Sequence, residues 1–166
     1  MNWQPYLPKC LYILGWVTSV KSQGGCGSCT AFASMGMAET SLIKAGAKKS
    51  GLDLSEQWIV DCRPYGALGC NGAHIHTYAM WMADEQQGNL MHENDAPYYG
   101  KETGSCKAGP YWSPGYKFNK AVVEWDPTDE QIMMQVMEHG SAVIGLYASN
   151  WGFRNYKSGI FDKCSR

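Results

Sequence analysis

Seven residues near the start of the chain combine the groups that a thiol nucleophile needs. The segment from Gln23 to Cys29 reads Gln-Gly-Gly-Cys-Gly-Ser-Cys, and a helix-forming pattern begins immediately after it. The partial positive charge of a helix N-terminus favours a thiolate over a thiol, and its free backbone N–H groups can bind an oxyanion. The side-chain amide of Gln23 is a second candidate donor. The pattern therefore predicts nucleophilic catalysis by Cys29, with Gln23 as an oxyanion donor.

Three helices are expected to position this segment. The first follows Cys29, with Ser28 as a candidate N-cap and Gly46 as a candidate stop. Its apolar residues recur at spacings of three and four, as one face of a helix does: Ala31, Met35, Ala38, Leu42 and Ala45. A second helix is predicted from Ser55. A third is predicted from about His74, and the residues expected to face inward are Ile75, Tyr78, Ala79 and Met82.

Strands are expected only in the second half of the chain. Residues 117–124 and 142–147 are predicted as strands, the latter buried, and Ile160–Phe161 as a short one. Between them, Thr128 and Gln131 form a capping-box pattern before a helix that Gly140 should end. Helices first and strands later indicate an α+β fold with two lobes. We predict a helical lobe at 1–115 and the start of an incomplete β lobe at 116–166.

Composition limits the class of partner. The 166 residues are 45% hydrophobic and 17% charged, with a formal net charge of −1 and no basic run, so neither a nucleic acid nor an anionic membrane is an expected partner. No apolar run approaches the ~18 residues of a membrane span. Seven cysteines indicate an oxidising compartment, whereas Met1–Lys9 is not a signal peptide. These two facts conflict unless a leader is missing from this chain or has been removed.

The segment around Cys29 resembles the papain family of cysteine peptidases, and particularly its cathepsin L branch. Its core is Cys26-Gly27-Ser28-Cys29, which follows the family signature. Phe32–Met37 is also similar to the heavy chain of dipeptidyl peptidase I. Other similar segments follow in order along nearly the whole chain: Leu7–Lys9, Trp16–Gly24, Leu54–Gln57, Asp61–Cys62, Gly69–Gly72, Ala96–Tyr99 and Tyr156–Phe161.

The resemblance implies a papain-like fold and hydrolysis of peptides or proteins through a thioester acyl-enzyme, without metal or cofactor, in a lysosomal or secreted protein. Cys29 would be the nucleophile and Gln23 an oxyanion donor. The implied groove residues are Gly27, Gly72 and Ala73, and the implied pocket residues, for the second residue before the scissile bond, are Ile75 and Gly145. The implied disulfides are Cys26–Cys70 and Cys62–Cys106.

The family's catalytic histidine follows the cysteine by about 130–150 residues, a window that extends beyond Arg166. His74, His76, His92 and His139 all come too early, and the orienting asparagine is absent. We therefore expect a C-terminal segment or a second, light chain to supply both residues. The 166 residues alone are expected to turn over little peptide, because they lack a base for the thiol and an acid for the leaving amine.

Several alternatives remain open. Thr30 stands where the family has an aromatic residue and Ala73 where a second glycine is usual, so the chain could be an inactive papain-like protein with a binding or structural role. Cys26 and Cys29 could form a redox pair. The cysteines could bind zinc together with His74 and His76, or Cys29 could be an inert buried thiol.

Overall fold

The regular structure of the protein is helical throughout the part that is described. The computed structural model describes residues 15–87, 89–109, 118, 120–146, 149 and 151–158. Its α-helices are α1 Cys29–Lys44, α2 Glu56–Cys62, α3 Thr77–Asp84, α4 Asp129–His139 and α5 Trp151–Arg154. Short 3-10 turns lie at Pro64–Gly66 and Gly69–Asn71. Within the described ranges, β pairing is limited to one isolated bridge between Leu54 and His92.

Helix α1 confirms the prediction made from its apolar spacing. Ala31, Met35, Ala38 and Leu42 are all buried on one side of it. Ser28 occupies the N-cap position, and the helix ends just before Gly46, which has a φ of 106°. The N–H groups of Gly46 and Ala47 bond to the carbonyls of Ile43 and Leu42, which is the Schellman arrangement. Local sequence therefore determines both ends of this helix.

Helix α2 begins after Ser55, whose Oγ accepts the N–H of Trp58 at 3.0 Å. The same hydroxyl donates to the Ala96 carbonyl at 2.6 Å, so the cap also ties α2 to the loop at 89–109. The ring of Trp58 packs on Trp81 of α3 with centroids 4.7 Å apart. These contacts place α2 and α3 in the same core as the buried face of α1.

Helix α3 begins later than the sequence predicts. It starts at Thr77 rather than about His74, because the N–H of Thr77 closes a turn onto the His74 carbonyl. Tyr78 and Met82 are buried as expected. Ile75 is 43% exposed and lies outside the helix. The inward position expected for Ile75 is therefore wrong, since residues 74–76 belong to a turn.

Helix α4 has the predicted capping box. The Thr128 side chain accepts the N–H of Gln131, the Gln131 side chain accepts the N–H of Thr128, and Gly140 ends the helix with a φ of 101°. None of its residues is buried. Its last carbonyls instead receive side chains from α1: Ser41 Oγ donates to the His139 carbonyl at 2.8 Å, and the Lys44 ammonium donates to that of Met137. Polar contacts therefore attach α4 to α1.

The predicted strands are wrong for the residues that are described. Residue 118 and residues 120–124 and 142–146 have no strand structure, and Ile144 and Leu146 are 65% and 56% exposed rather than buried. A strand needs a neighbouring strand that forms hydrogen bonds with its backbone N–H and C=O groups. No described residues form such a partner strand for these segments. Ile160–Phe161 lies outside the described residues, and the division at residue 115 stays a prediction. None of the described helices has the length and apolarity needed to cross a bilayer.

Candidate active site

Cys29 is the first residue of α1, and its thiol is free and exposed. The Ser28 side chain makes no capping hydrogen bond. Its hydroxyl lies instead 2.6 Å from the Tyr98 hydroxyl. The first N–H groups of α1 therefore have no side-chain cap and remain available to an anion beside the sulfur.

Gln23 lies at the other end of the same loop. Its Nε2 donates one hydrogen bond to the Cys26 carbonyl at 2.8 Å. A side-chain amide nitrogen carries two N–H donors, and the second has no partner among the described residues. The bond to Cys26 thus fixes the amide while leaving one donor for another acceptor.

Gly27 lies against the neighbouring turn at Gly69–Asn71. Its N–H donates to the Cys70 carbonyl at 2.8 Å. A Cβ at this position would lie 2.4 Å from the Cys70 carbonyl oxygen, so only glycine fits without moving the backbone. The Cys26–Cys70 disulfide, with Cα atoms 4.7 Å apart, joins the same two segments. The second disulfide is Cys62–Cys106. Both pairs are those that the resemblance implied.

The segment that follows this turn passes beside the nucleophile helix. Gly72 has φ 102° and ψ 177°, a backbone conformation that suits glycine. The Thr30 hydroxyl donates to the Ala73 carbonyl at 3.2 Å. Gly145 lies next to Ile75, since a Cβ on Gly145 would lie 2.9 Å from Ile75 Cδ1. The structure therefore brings together the two residues expected to shape one pocket, although 70 positions separate them along the chain.

The four histidines have neighbours other than Cys29. The rings of His74 and His76 stack with centroids 5.9 Å apart, and His76 also contacts Trp125 edge-on. His92 bonds the Gly51 carbonyl through Nε2 at 2.8 Å. His139 lies at the end of α4, with Nε2 3.9 Å from a Glu138 carboxylate oxygen. Within the described ranges, no histidine is hydrogen-bonded to the Cys29 sulfur.

Two of the alternatives can be compared with this arrangement. Cys26 is bonded to Cys70 while Cys29 is free, which contradicts a redox pair of Cys26 with Cys29. The exposure of Cys29 likewise contradicts an inert buried thiol. No group of three side chains suited to a metal ion occurs in the part of the chain that the structure describes.

A charge cluster with two buried carboxylates, Glu39 and Glu56, lies directly upstream of the loop, and the sequence does not predict it. Lys21 Nζ contacts Asp53 Oδ1 at 2.7 Å, Glu56 Oε1 at 2.9 Å and Glu39 Oε1 at 3.3 Å. It also donates to the Leu54 carbonyl at 3.0 Å. Because Lys21 is two residues before Gln23, these bonds fix the entry to the loop against α1 and α2. The sequence places Glu39 and Glu56 within predicted helices but gives no signal that they are buried or that Lys21 lies between them.

One ammonium shared by three carboxylates explains the electrostatics of this cluster. Burial alone lowers the pKa of Lys21, but its hydrogen bonds to Asp53 and Glu56 and the charge of Glu39 raise it above its ordinary value. Burial raises the pKa of the Glu56 carboxyl to about 7, although Lys21 opposes this shift. Glu56 Oε2 has no hydrogen-bond partner among the described residues. Its carboxylate is therefore held through one oxygen only, by Lys21.

Comparison with known proteins gives one consistent result. The family model described as "Papain family cysteine protease" matches residues 13–166. "Cathepsin L 2" of Paramecium tetraurelia is 34% identical over 149 residues, covering 89% of this chain and 44% of that protein. Human "Cathepsin L2" is 35% identical over 149 residues, covering 89% of this chain and 42% of that protein. The chain thus spans less than half the length of these relatives.

A solved structure agrees. The digestive procathepsin L2 proteinase from the larval midgut of Tenebrio molitor superposes with a TM-score of 0.52 at 33% identity, over 66% of this chain and 31% of that one. The fold is therefore papain-like, as the resemblance implied. Together with the family match, these relatives show that the chain is a cathepsin L-like member of the papain family of cysteine proteases.

Proposed function

We propose that the protein hydrolyses peptide bonds with Cys29 as the nucleophile. The observation that carries this proposal is the free, exposed Cys29 thiol at the first position of α1, where the Ser28 side chain makes no capping bond. The Gln23 amide, fixed at the other end of the loop, retains one N–H for an oxyanion. Family membership supports this reading.

In the proposed reaction, the Cys29 sulfur attacks the substrate carbonyl while its proton passes to a histidine. The Cys29 N–H and the Gln23 amide stabilise the oxyanion of the tetrahedral intermediate. The intermediate collapses to a thioester as the C–N bond breaks, and the leaving amine takes the proton from the histidine. Water then attacks the thioester, its proton passes to the histidine, and the acid product leaves as the thiol is regenerated.

We propose that this histidine, and the asparagine that orients it, lie outside these 166 residues, in a C-terminal segment or a light chain. Support comes from the contacts of His74, His76, His92 and His139 within the described ranges, none of which is with the Cys29 sulfur. The 166-residue chain alone is expected to show little turnover for this reason. Turnover comparable to that of a complete cathepsin would contradict this part of the proposal.

The substrate is proposed to be an extended peptide. Gly27, Gly72 and Ala73 would border its backbone, and Ile75 and Gly145 would form the pocket for a bulky apolar side chain two residues before the scissile bond. The contact between Ile75 and Gly145 supports this pairing. A lysosomal or secreted location is proposed because the disulfides Cys26–Cys70 and Cys62–Cys106 persist in oxidising compartments.

The test compares the protein, together with the segment or light chain proposed to supply the histidine, with its Cys29→Ala variant on a fluorogenic dipeptide amide. Cys29→Ala should abolish hydrolysis, whereas Cys10→Ala, a matched loss of one cysteine, should not. An epoxide probe at pH 5 should modify Cys29 rapidly in the active protein, since an unassisted thiol is nearly inert at that pH. Unmodified Cys29 together with absent hydrolysis would refute the peptidase and favour the non-catalytic, binding alternative.

A further inference from the structure

We propose that Tyr98 is a positioning residue for the oxyanion site: its hydroxyl holds Ser28 in a non-capping conformation that directs the Cys29 N–H toward the substrate, and it fixes the backbone of Gln23. This inference rests on the proposed function. It adds a residue from a distant loop, 70 positions from Ser28 and 75 from Gln23, to the machinery around the nucleophile.

The hydrogen-bond directions follow from the number of protons. The Tyr98 hydroxyl donates to the Gln23 carbonyl at 2.9 Å. A phenol has one O–H proton, so in the 2.6 Å contact with Ser28 the serine is the donor and Tyr98 the acceptor. The other acceptor near Ser28 Oγ is the Cys26 carbonyl, which at 3.5 Å lies at the outer limit of a hydrogen bond and is the weaker partner. The result is a directed chain from Ser28 through Tyr98 to the backbone of Gln23. It links the two ends of the loop that carries both proposed oxyanion donors.

The two other helices with a hydroxyl residue at the N-cap show what Ser28 would do without that partner. Ser55 and Thr128 are extended, with ψ of 111° and 163°, and each side chain accepts the backbone N–H three residues later. Ser28 has ψ 21° and makes no such bond. A serine at an N-cap normally adopts the extended conformation. Ser28 is therefore the exception among the three hydroxyl N-caps, and its hydroxyl is engaged by Tyr98 instead.

The consequence concerns one peptide plane. The ψ angle of Ser28 sets the direction of the next N–H, which is that of Cys29. If Ser28 adopted the ψ of Ser55 or Thr128, this peptide would rotate by roughly 90° to 140° and the Cys29 N–H would point elsewhere. Oxyanion stabilisation depends on donors aimed at the developing charge. Holding Ser28 away from the capping conformation therefore preserves one of the two donors.

Tyr98 is itself fixed on both sides. Its backbone N–H donates to Glu93 Oε1 at 2.7 Å, and its ring meets the ring of Phe32 edge-on at 4.9 Å between centroids. Phe32 belongs to α1, so Tyr98 packs against the nucleophile helix as well as contacting the loop. The hydroxyl can therefore act as a fixed point for Ser28 and Gln23.

The test is Tyr98→Phe in the full protein, which removes only the hydroxyl. Loss of an oxyanion donor costs about 100- to 1,000-fold in kcat. Because Tyr98→Phe would turn the Cys29 N–H only partly away from the oxyanion, we expect kcat to fall about 10- to 100-fold with KM little changed. Affinity for a peptide aldehyde, whose adduct with Cys29 carries the oxyanion, should fall by a similar factor. Alkylation of Cys29 by iodoacetamide, which forms no oxyanion, should keep its rate. Tyr99→Phe, the neighbouring exposed tyrosine, is the matched control.

A second variant distinguishes a role of Tyr98 in orienting the Cys29 N–H from a role only in stabilising the fold. Ser28→Ala combined with Tyr98→Phe removes the side chain that would cap α1, so it should recover several-fold in kcat over Tyr98→Phe alone. Wild-type kcat and aldehyde affinity in Tyr98→Phe would overturn the inference, as would a double variant no better than the single one. An inactive parent protein would instead overturn the proposed peptidase.

A structural measurement covers the case in which Tyr98→Phe does not fold. A crystal structure of the unaltered protein with the peptide aldehyde should keep Ser28 in contact with Tyr98 and place the adduct oxygen on the Cys29 N–H. A structure in which the Ser28 side chain caps α1 while the adduct is bound would refute the inference.

Discussion

Glu56 lies 2% exposed at the start of α2, with one carboxylate oxygen on Lys21 and the other without a partner among the described residues. Its pKa is raised from 4.5 to about 7, chiefly by burial. The folded protein therefore binds a proton at this carboxyl more readily than the unfolded chain does. The resulting stabilisation is complete below pH 4.5 and is lost as the pH rises through 7. We predict that Glu56→Gln removes this dependence.

The size of the effect follows from the two pKa values. One pKa unit corresponds to about 1.4 kcal/mol, so the shift from 4.5 to about 7 is worth about 3 kcal/mol between acid and mildly alkaline solution. A glutamine resembles the protonated carboxyl in shape and charge. The free energy of unfolding of the unaltered protein, relative to that of Glu56→Gln, should therefore fall by about 3 kcal/mol between pH 4.5 and pH 8.

The measurement is urea unfolding followed by tryptophan fluorescence at several pH values, with both proteins in a Cys29→Ala background to prevent self-cleavage. Taking the difference between the two proteins cancels the titration of groups that do not interact with Glu56. Glu124→Gln, the same change at an exposed position, is the matched control. A difference for Glu56→Gln that is flat over this range, or that grows in the unaltered protein's favour as the pH rises, would refute the reasoning.

Three further predictions concern the loop, the pocket and the second half of the chain. Gly27→Ala places a Cβ 2.4 Å from a backbone oxygen, so the loop that carries Cys29 must shift. Since a displacement of about 1 Å in an active site can cost about 100-fold in rate, kcat/KM should fall by about that factor. Gly25→Ala, where a Cβ would meet open space, should lose far less activity. Gly145→Ala should lower kcat/KM about tenfold for substrates with a large second residue before the scissile bond, and adding Ile75→Ala to this variant should restore kcat/KM. Equal losses for substrates with small and large residues at this position would contradict a shared pocket. Thr128→Ala removes a capping box and should cost about 1 kcal/mol of unfolding free energy with kcat/KM unchanged, as urea unfolding and the peptide assay would show.

The features that the sequence predicts correctly are those determined within a few residues. The apolar spacing of α1, the stop at Gly46 and the capping box at Thr128 each depend on neighbours three or four positions away. The junction of loop and helix at Cys29 belongs to the same class. Such features are visible in one sequence because the groups that form them lie within one turn of helix.

The errors and omissions concern partners that are distant along the chain. A strand at 142–146 depends on a neighbour that no local pattern specifies, and Ile144 and Leu146 of this apolar run proved to be exposed. The link from Tyr98 to Ser28 and the ion pair of Lys21 with Glu56 span 70 and 35 positions. The sequence contains these residues but does not reveal that folding makes them neighbours.

The attachment of α4 to α1 has a consequence for variation among related chains. Ser41 and Lys44 both donate to main-chain carbonyls of α4, and Gly140 fits closely against Thr40, its Cβ position 3.3 Å from a methyl group. Every amino acid has the same main-chain carbonyl, so these contacts between α1 and α4 do not depend on which outward side chains α4 carries. Mutational drift on that helix should be tolerated, while Ser41, Lys44 and Gly140 should resist replacement.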